Sequence, residues 1–538
     1  MKVYQRFAEA LLEHGFDTVF GLMGDANMLY LCDYAERGGR FVPAVHEGGA
    51  VGMADGWSRA GGRVGVASVT HGPAVTNTMT ALTEAVRSRS RVLLVTGDTP
   101  AEPTHFQRLD LAAVAAAAGA GYERVGRPGD LVRMLDRAVQ RVVAEDRPVV
   151  LDLPFGLLRQ EADAPRSVAR PRPRAAALPP SDRLDAALRL MSEARRPVIL
   201  AGRGAVAADA RDELVALGEK LAAPLATTLL AKDWFRDHPS DLGVFGGLSH
   251  RAAAAVIDEA DCVVAFGAGL HAHTTGHGAL LKGKKVVQVD ADPGAFGWFT
   301  RVDEAVPGDA RAVAAAMGEA LWQSGHTPDE SWLAGVRLRL GDHRPGDGYQ
   351  DRTDAAAGTV DVRTAALRLD RLLPRRRVLV SDIGRFALGV WPHLRVADAR
   401  DFLCMGGFGS IGLGLAGAVG AAVARPDDLT VLVVGDGGFM MNVGEFTTAV
   451  RERLPLLVVV LNDGAYGAEH VKLARLGVDP DRSLTAWPDP VPLAEAMGGR
   501  GLTVRRPEDL DVLRERTRSL DGPLLVDVRL DPRVDVVP

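Results

Sequence analysis

The chain has 538 residues, 47% of them apolar and 25% charged, with a formal net charge of −6. That length calls for more than one domain, three at ordinary domain sizes, and the acidic balance excludes a general nucleic-acid or anionic-membrane binder. Cys32, Cys262 and Cys404 are too few and too far apart for a disulfide framework or a zinc site, the amino-terminus lacks the apolar core of a signal peptide, and no long uncharged apolar span suits a membrane, so a cytoplasmic setting is expected.

Residues 1–162 alternate helical patterns with short apolar strands. Helices are expected over Tyr4 to His14 and Gly48 to Ala60, and strands at Thr18 to Phe20, Phe41 to Val45 and Val64 to Val69, the alternation of a parallel α/β layer. Glu47 falls at a strand end before Gly48-Gly49, where a helix dipole favours a carboxylate. Residues 163–182, rich in Pro, Arg and Ala, read as a linker. The α/β pattern returns over 183–325, with strands at Val198 to Ala201, Cys262 to Phe266 and Lys285 to Val289. The glycines of Gly202-Arg203-Gly204 and Gly267-Ala268-Gly269 read more readily as tight turns than as dinucleotide loops. A second linker, rich in Gly, Asp and Pro, covers 326–358, and a third unit, 359–538, opens with a strand at Val378 to Ser381. The predicted fold class is α/β with three parallel-sheet domains.

The third unit carries the strongest chemical pattern. Val431 to Val434 is an unbroken apolar strand ending at Gly435-Asp436-Gly437-Gly438. Met441 to Arg453 has helix formers at helical spacing, and Leu456 to Leu461 is a second buried strand before Asn462-Asp463-Gly464-Ala465-Tyr466-Gly467. A right-handed βαβ crossover brings both strand ends to one sheet edge, so Asp436 and Asp463 can meet. Two carboxylates beside bare glycine amides and a helix amino-terminus suit a Mg²⁺ bridging a diphosphate. This order of elements resembles the thiamine-diphosphate enzymes: acetolactate synthases, benzoylformate and pyruvate decarboxylases, and 2-hydroxyacyl-CoA lyases. The resemblance runs along nearly the whole chain and implies a pyrimidine-binding domain over 1–162, a central domain over 183–325 and a diphosphate- and Mg-binding domain over 359–538.

Residue roles follow from that resemblance. Glu47 matches the glutamate that contacts N1′ of the aminopyrimidine. Gly384 and Arg385 fall where the family contacts the diphosphate; for Arg385 a solvated face is the alternative. In Gly406 to Gly412, the carbonyl of Gly409 would take the 4′-amino hydrogen and Ile411 would prop the cofactor's V shape. Asp436, Asp463 and the carbonyl of Ala465 would hold the metal, with Gly437, Gly438, Tyr466 and Gly467 around the diphosphate. Asp25, in Phe20 to Asn27, matches a catalytic acid of the decarboxylases, with Met23 where proline is usual. His71, in Thr70 to Asn77, and His105 and Gln107, in His105-Phe106-Gln107, fall near substrate-side positions; a packing or surface role is an equal reading for each histidine. Glu469, six residues after Asp463, matches a catalytic glutamate and reads equally well as a helix-start residue. The flavin-binding segment of acetolactate synthases is not matched at Gly269 to Gly276, which leaves FAD doubtful. Asp463 stands where asparagine is commoner, so a nearby cation or an altered metal affinity is expected.

The implied activity is a thiamine-diphosphate- and Mg²⁺-dependent 2-oxo acid decarboxylase or carboligase, acetolactate-synthase-like, working through a C2 carbanion and an enamine. The substrate would be a 2-oxo acid, with an aldehyde or a second 2-oxo acid as acceptor in the carboligation branch. A 2-hydroxyacyl-CoA lyase is an alternative, weakened by the short tail after Val528, and a non-catalytic cofactor-binding homologue is another, weakened by the presence of Glu47. In the family the cofactor lies between two subunits, which implies a homodimer or homotetramer.

Overall fold

The computed structural model describes residues 1–99, 104–162, 168–172, 176–341, 343 and 347–536. They form three six-stranded parallel sheets. The first contains β1 (Thr18–Gly21), β2 (Arg40–Pro43), β3 (Gly65–Ser68), β4 (Val92–Thr96), β5 (Gly121–Arg124) and β6 (Val149–Asp152). The second contains β7 (Pro197–Ala201), β8 (Leu225–Thr227), β9 (Asp241–Val244), β10 (Cys262–Phe266), β11 (Lys285–Asp290) and β12 (Glu304–Pro307). The third contains β13 (Arg377–Ser381), β14 (Phe402–Cys404), β15 (Leu429–Gly435), β16 (Leu456–Asn462), β17 (Arg500–Val504) and β18 (Leu524–Arg529). The central strands β4, β10, β15 and β16 are buried along nearly every residue, as parallel strands covered by helices on both faces must be.

Strand order fixes where loops meet. The first sheet runs β2-β1-β3-β4-β6-β5 and the third β14-β13-β15-β16-β18-β17, the same order when each is counted from its own first strand. The second runs β12-β11-β10-β7-β8-β9, the doubly wound order whose switch point lies between β7 and β10. The helices Glu47–Gly61 and Gly414–Ala424 are rich in small residues, buried over most of their length, and pack directly together, so the first and third units share one continuous apolar core.

Three readings are corrected by the coordinates. The helix expected over Met441 to Arg453 is two helices, Asp436–Met441 and Glu445–Arg451. The break falls at Asn442 to Gly444, where the Asn442 side chain donates to the carbonyl of Gly412 at 2.7 Å. The stretch read as a second linker holds the helix Glu330–Gly341, whose Trp332, Leu333 and Val336 are buried; the Trp332 indole donates to the Pro197 carbonyl at 3.1 Å. Its apolar spacing was masked by the glycine, aspartate and proline on either side. The helix Ser181–Glu193 begins inside the segment read as the first linker, part of which lies outside the described residues.

Candidate active site

Four adjacent strands of the third sheet, β14, β13, β15 and β16, end side by side, and their carboxyl-end loops carry Gly409 and Ile411, Gly384 and Arg385, Asp436, and Asp463 in that order. Gly435 and Leu461 are register partners, so Asp436 and Asp463 leave neighbouring strands one residue and two residues later. Asp436 is buried, and its Oδ2 has no hydrogen-bond partner. Burial, and then the charge of Asp463, push its carboxyl up to about 7. An orphaned, buried carboxylate oxygen at a strand end next to that of a second carboxylate suits a divalent cation. Space beside Gly437 is open, so its backbone can be approached closely. These residues therefore fit Mg²⁺ with a diphosphate, and Ala465, buried, follows two residues after Asp463.

A cation does stand beside Asp463. Arg385 donates from Nη2 to Asp463 Oδ2 at 3.1 Å, and both side chains are nearly buried. Burial pushes the Asp463 carboxyl up, and Arg385 opposes that shift. The same guanidinium donates to the carbonyls of Pro532 at 2.8 Å, Val534 at 2.6 Å and Asp531 at 3.3 Å, so it ties the carboxyl-terminal tail to the site. It is neither on a solvated face nor free. Asp382, at the end of β13, accepts from the amides of Ile383 and Gly412 at 2.8 Å each, holding the loop that contains Gly409 and Ile411; burial pushes its carboxyl up to about 7. Its strand-end position, like that of Asp436, is the sequence signal for it. Tyr466 is half exposed, Gly467 starts the helix Gly467–Arg475, and Glu469 on its first turn is exposed and pairs with Lys472 at 3.3 Å. Gly438 packs against Asp382 beneath the Asp436 turn.

The first sheet repeats this arrangement. Strands β2, β1, β3 and β4 end side by side and are followed by Glu47, Asp25, His71, and the segment of Asp98 and His105. Glu47 opens its helix, and its Oε2 accepts from the Asn77 amide at 3.0 Å. Asn77 ends the short helix Pro73–Asn77 that follows β3, so segments from two strands on either side of β1 fix the glutamate's orientation, a partnership that sequence spacing does not signal. His71 is buried; its Nδ1 lies 3.0 Å from Thr70 Oγ1, and its ring centroid is 6.0 Å from that of His105 and 6.4 Å from that of Phe155. Burial and His105 hold its imidazole below the ordinary range, while Asp25 and Asp98 pull the other way. Asp25, His71 and His105 are thus one cluster, and Gln107 joins it by packing against Gly72 while its backbone N–H donates to His105 Nδ1 at 3.3 Å. Among the described residues, Glu469 pairs with Lys472 and makes no hydrogen bond or ion pair with this group.

At the switch point of the second sheet the glycines face each other. The Gly204 amide donates to the Gly267 carbonyl at 3.0 Å, and a Cβ on Gly267 would meet the Ala205 nitrogen at 2.4 Å. These glycines serve the close approach of two loops, and Arg203 between them donates to the Ser88 carbonyl of the first unit at 2.9 Å.

Two sheets of one topology, one with two aspartates at neighbouring strand ends and the other with a glutamate at a helix start, give the chain the architecture of an α/β enzyme. Comparison with known proteins gives the particular family. The N-terminal TPP binding domain of thiamine pyrophosphate enzymes matches residues 1–115, the central domain 184–317 and the C-terminal TPP binding domain 382–528. The sulfoacetaldehyde acetyltransferase of Rhodobacter capsulatus is 31% identical over 95% of this chain and 90% of its own length. That of Alcaligenes xylosoxydans is 29% identical over 94% and 88%, and a probable acetolactate synthase large subunit of Methanocaldococcus jannaschii is 28% identical over 99% and 92%. The chain belongs to the thiamine pyrophosphate enzyme family and is a thiamine-diphosphate-dependent enzyme of the transferase or lyase type. No helix among its described residues is long and apolar enough to cross a membrane.

Proposed function

We propose that the protein is a Mg²⁺-dependent decarboxylase or carboligase of 2-oxo acids. The observation that carries this reading is the unpartnered, buried Oδ2 of Asp436, with Asp463 at the adjacent strand end. Asp436, Asp463 and the Ala465 carbonyl hold the metal, and the Gly437 and Gly438 backbone, with Gly384, Tyr466 and Gly467, surrounds the diphosphate. Arg385 acts on the phosphate end through Asp463, whose charge it balances. When bound, thiamine diphosphate supplies an electron sink for a carbanion at the substrate's carbonyl carbon. Glu47, oriented by Asn77, holds a proton at N1′, while Gly409 and Ile411 orient the aminopyrimidine. His71, neutral at pH 7 because its pKa is lowered, donates or accepts a hydrogen bond at the substrate, with Asp25, His105 and Gln107 beside it, and Glu469 is a further proton-handling candidate outside this cluster. The substrate is a 2-oxo acid, with an aldehyde or second 2-oxo acid as acceptor.

The first unit is 1–162, the central unit runs from the helix Ser181–Glu193 through the helix Glu330–Gly341, the third unit is 359–538, and the assembly is a homodimer or homotetramer. Exposed Met23, Val45, Phe408, Met441 and Tyr466 around the two sheet edges support such an assembly, since apolar side chains flanking a site are otherwise left in water. A second reading, C–S cleavage of a sulfonated aldehyde with departure of sulfite and transfer of the remaining two-carbon acetyl group to an acceptor such as phosphate, is favoured by the similarity to sulfoacetaldehyde acetyltransferases. The test is CO₂ release from a panel of 2-oxo acids with thiamine diphosphate and Mg²⁺, beside loss of sulfoacetaldehyde, in the native protein and in Glu47→Gln. Cofactor-dependent CO₂ release that collapses in the variant supports the first reading. Consumption of sulfoacetaldehyde without CO₂ release from any acid supports the second.

A further inference from the structure

Two buried glutamates are exchanged between the first and third units. Glu445 of the third unit, 1% exposed, reaches the segment before Glu47. Its Oε1 accepts from the amides of Val45 and His46 at 3.1 Å each, and its Oε2 accepts from Val45 at 3.2 Å and from Thr448 Oγ1 at 2.9 Å. Glu84 of the first unit, fully buried, reaches the loop that holds Gly409 and Ile411. It accepts from the amides of Gly407 at 2.9 Å and Phe408 at 2.6 Å, and from Ser88 Oγ at 2.9 Å.

Each carboxylate fits only because a glycine leaves room. A Cβ on Gly49 would stand 2.0 Å from Glu445 Oε1, and one on Gly407 would stand 3.2 Å from Glu84 Oε1 and 2.9 Å from Ser88 Oγ. Burying a carboxylate is costly unless hydrogen bonds to its charged form offset the desolvation, and the donors here are backbone amides of loops that otherwise have no regular structure. The free energy of those bonds therefore goes into fixing the two loops.

We infer that Glu445 and Glu84 are positioning residues, Glu445 for the segment that aims Glu47 and Glu84 for the loop that presents Gly409 and Ile411. The inference rests on the thiamine-diphosphate reading for what those loops do, and not for how they are held. Neither glutamate touches a reacting atom in this scheme. Glutamine serves differently at the two places. At 445 its oxygen can still accept from Val45 and His46 while its amide donates to Thr448 Oγ1, and only the second, longer Val45 bond is lost. At 84 both oxygens face amides, so a carboxamide sets a donor against a donor.

The test is amide hydrogen exchange in the cofactor-free protein, read over residues 43–49 and 406–411, together with C2-hydrogen exchange of bound thiamine diphosphate. Glu445→Ala should speed exchange over 43–49 about tenfold or more and leave 406–411 unchanged, and Glu84→Gln should do the converse. Glu445→Gln should regain most of the protection lost in Glu445→Ala, and C2-hydrogen exchange should fall in Glu445→Ala with cofactor affinity held within about threefold. Unchanged protection in both segments, or protection lost throughout the third unit, overturns the inference. If Glu47→Gln leaves C2-hydrogen exchange at the native rate, the assigned role of Glu47 fails instead, while the amide exchange still judges the two clamps.

Discussion

At the scale of single residues, charge balance in a dry site governs the chemistry. Asp436 and Asp463 would repel each other if both were ionised without a cation, and Arg385 relieves the second of them. Replacing Arg385 with Gln leaves Asp463 buried and unpaired, which should lower the stability of the metal-free protein by roughly 3–5 kcal/mol. Adding Asp463→Asn to that variant should recover much of the loss, and denaturant unfolding of the two single variants and the double variant measures the coupling. Asp382 gives a pH signature. Its folded pKa of about 7 lies above the unfolded carboxylate value, so between the two the folded state keeps a proton that the unfolded chain has released. Its contribution makes stability fall as pH rises through that window and levels off above about 7. In Asp382→Asn that slope is absent, so melting curves taken across the window should shift in the variant's favour by up to ~1.4 kcal/mol per pH unit as pH rises.

At the scale of elements, the strands that aim the site were the easiest to read. Val431 to Val434 and Leu456 to Leu461 have no polar residue to interrupt them; β15 extends its run by two residues at the start and one at the end, and β16 by one at the end. The helix Asp436–Met441 was not legible because its first turn is Asp-Gly-Gly, a poor helix former that folds here at a strand end. The helix Glu330–Gly341 lay hidden by its flanks. Trp332→Ala should cost about 3–5 kcal/mol of stability and leave cofactor affinity unchanged, as seen by thermal unfolding beside a binding titration. Glu84 and Glu445 carried no sequence signal at all: each is an ordinary glutamate in a helix, and its partners are backbone amides 323 and 400 residues away.

At the scale of the whole molecule, the repeated strand order of the first and third units sets two four-loop edges against one shared core, and the chemistry is divided between them. Sequence pattern gave the three sheets and the residues at their edges; it could not give the contacts among those residues, such as Asn77 with Glu47 or Arg385 with the tail, because they depend on strand order and loop path. The exposed apolar residues at these edges should be covered by a second copy, so light scattering after size-exclusion chromatography should return a dimer or tetramer, and a monomer with cofactor bound would contradict that assembly. The most direct measurement is calorimetric titration of thiamine diphosphate into native protein and Asp436→Ala, each with and without Mg²⁺. Binding should need the metal in the native protein and weaken about tenfold or more in the variant. Equal affinity with and without Mg²⁺, or in Asp436→Ala, would contradict the placement of the metal and diphosphate at the ends of β15 and β16.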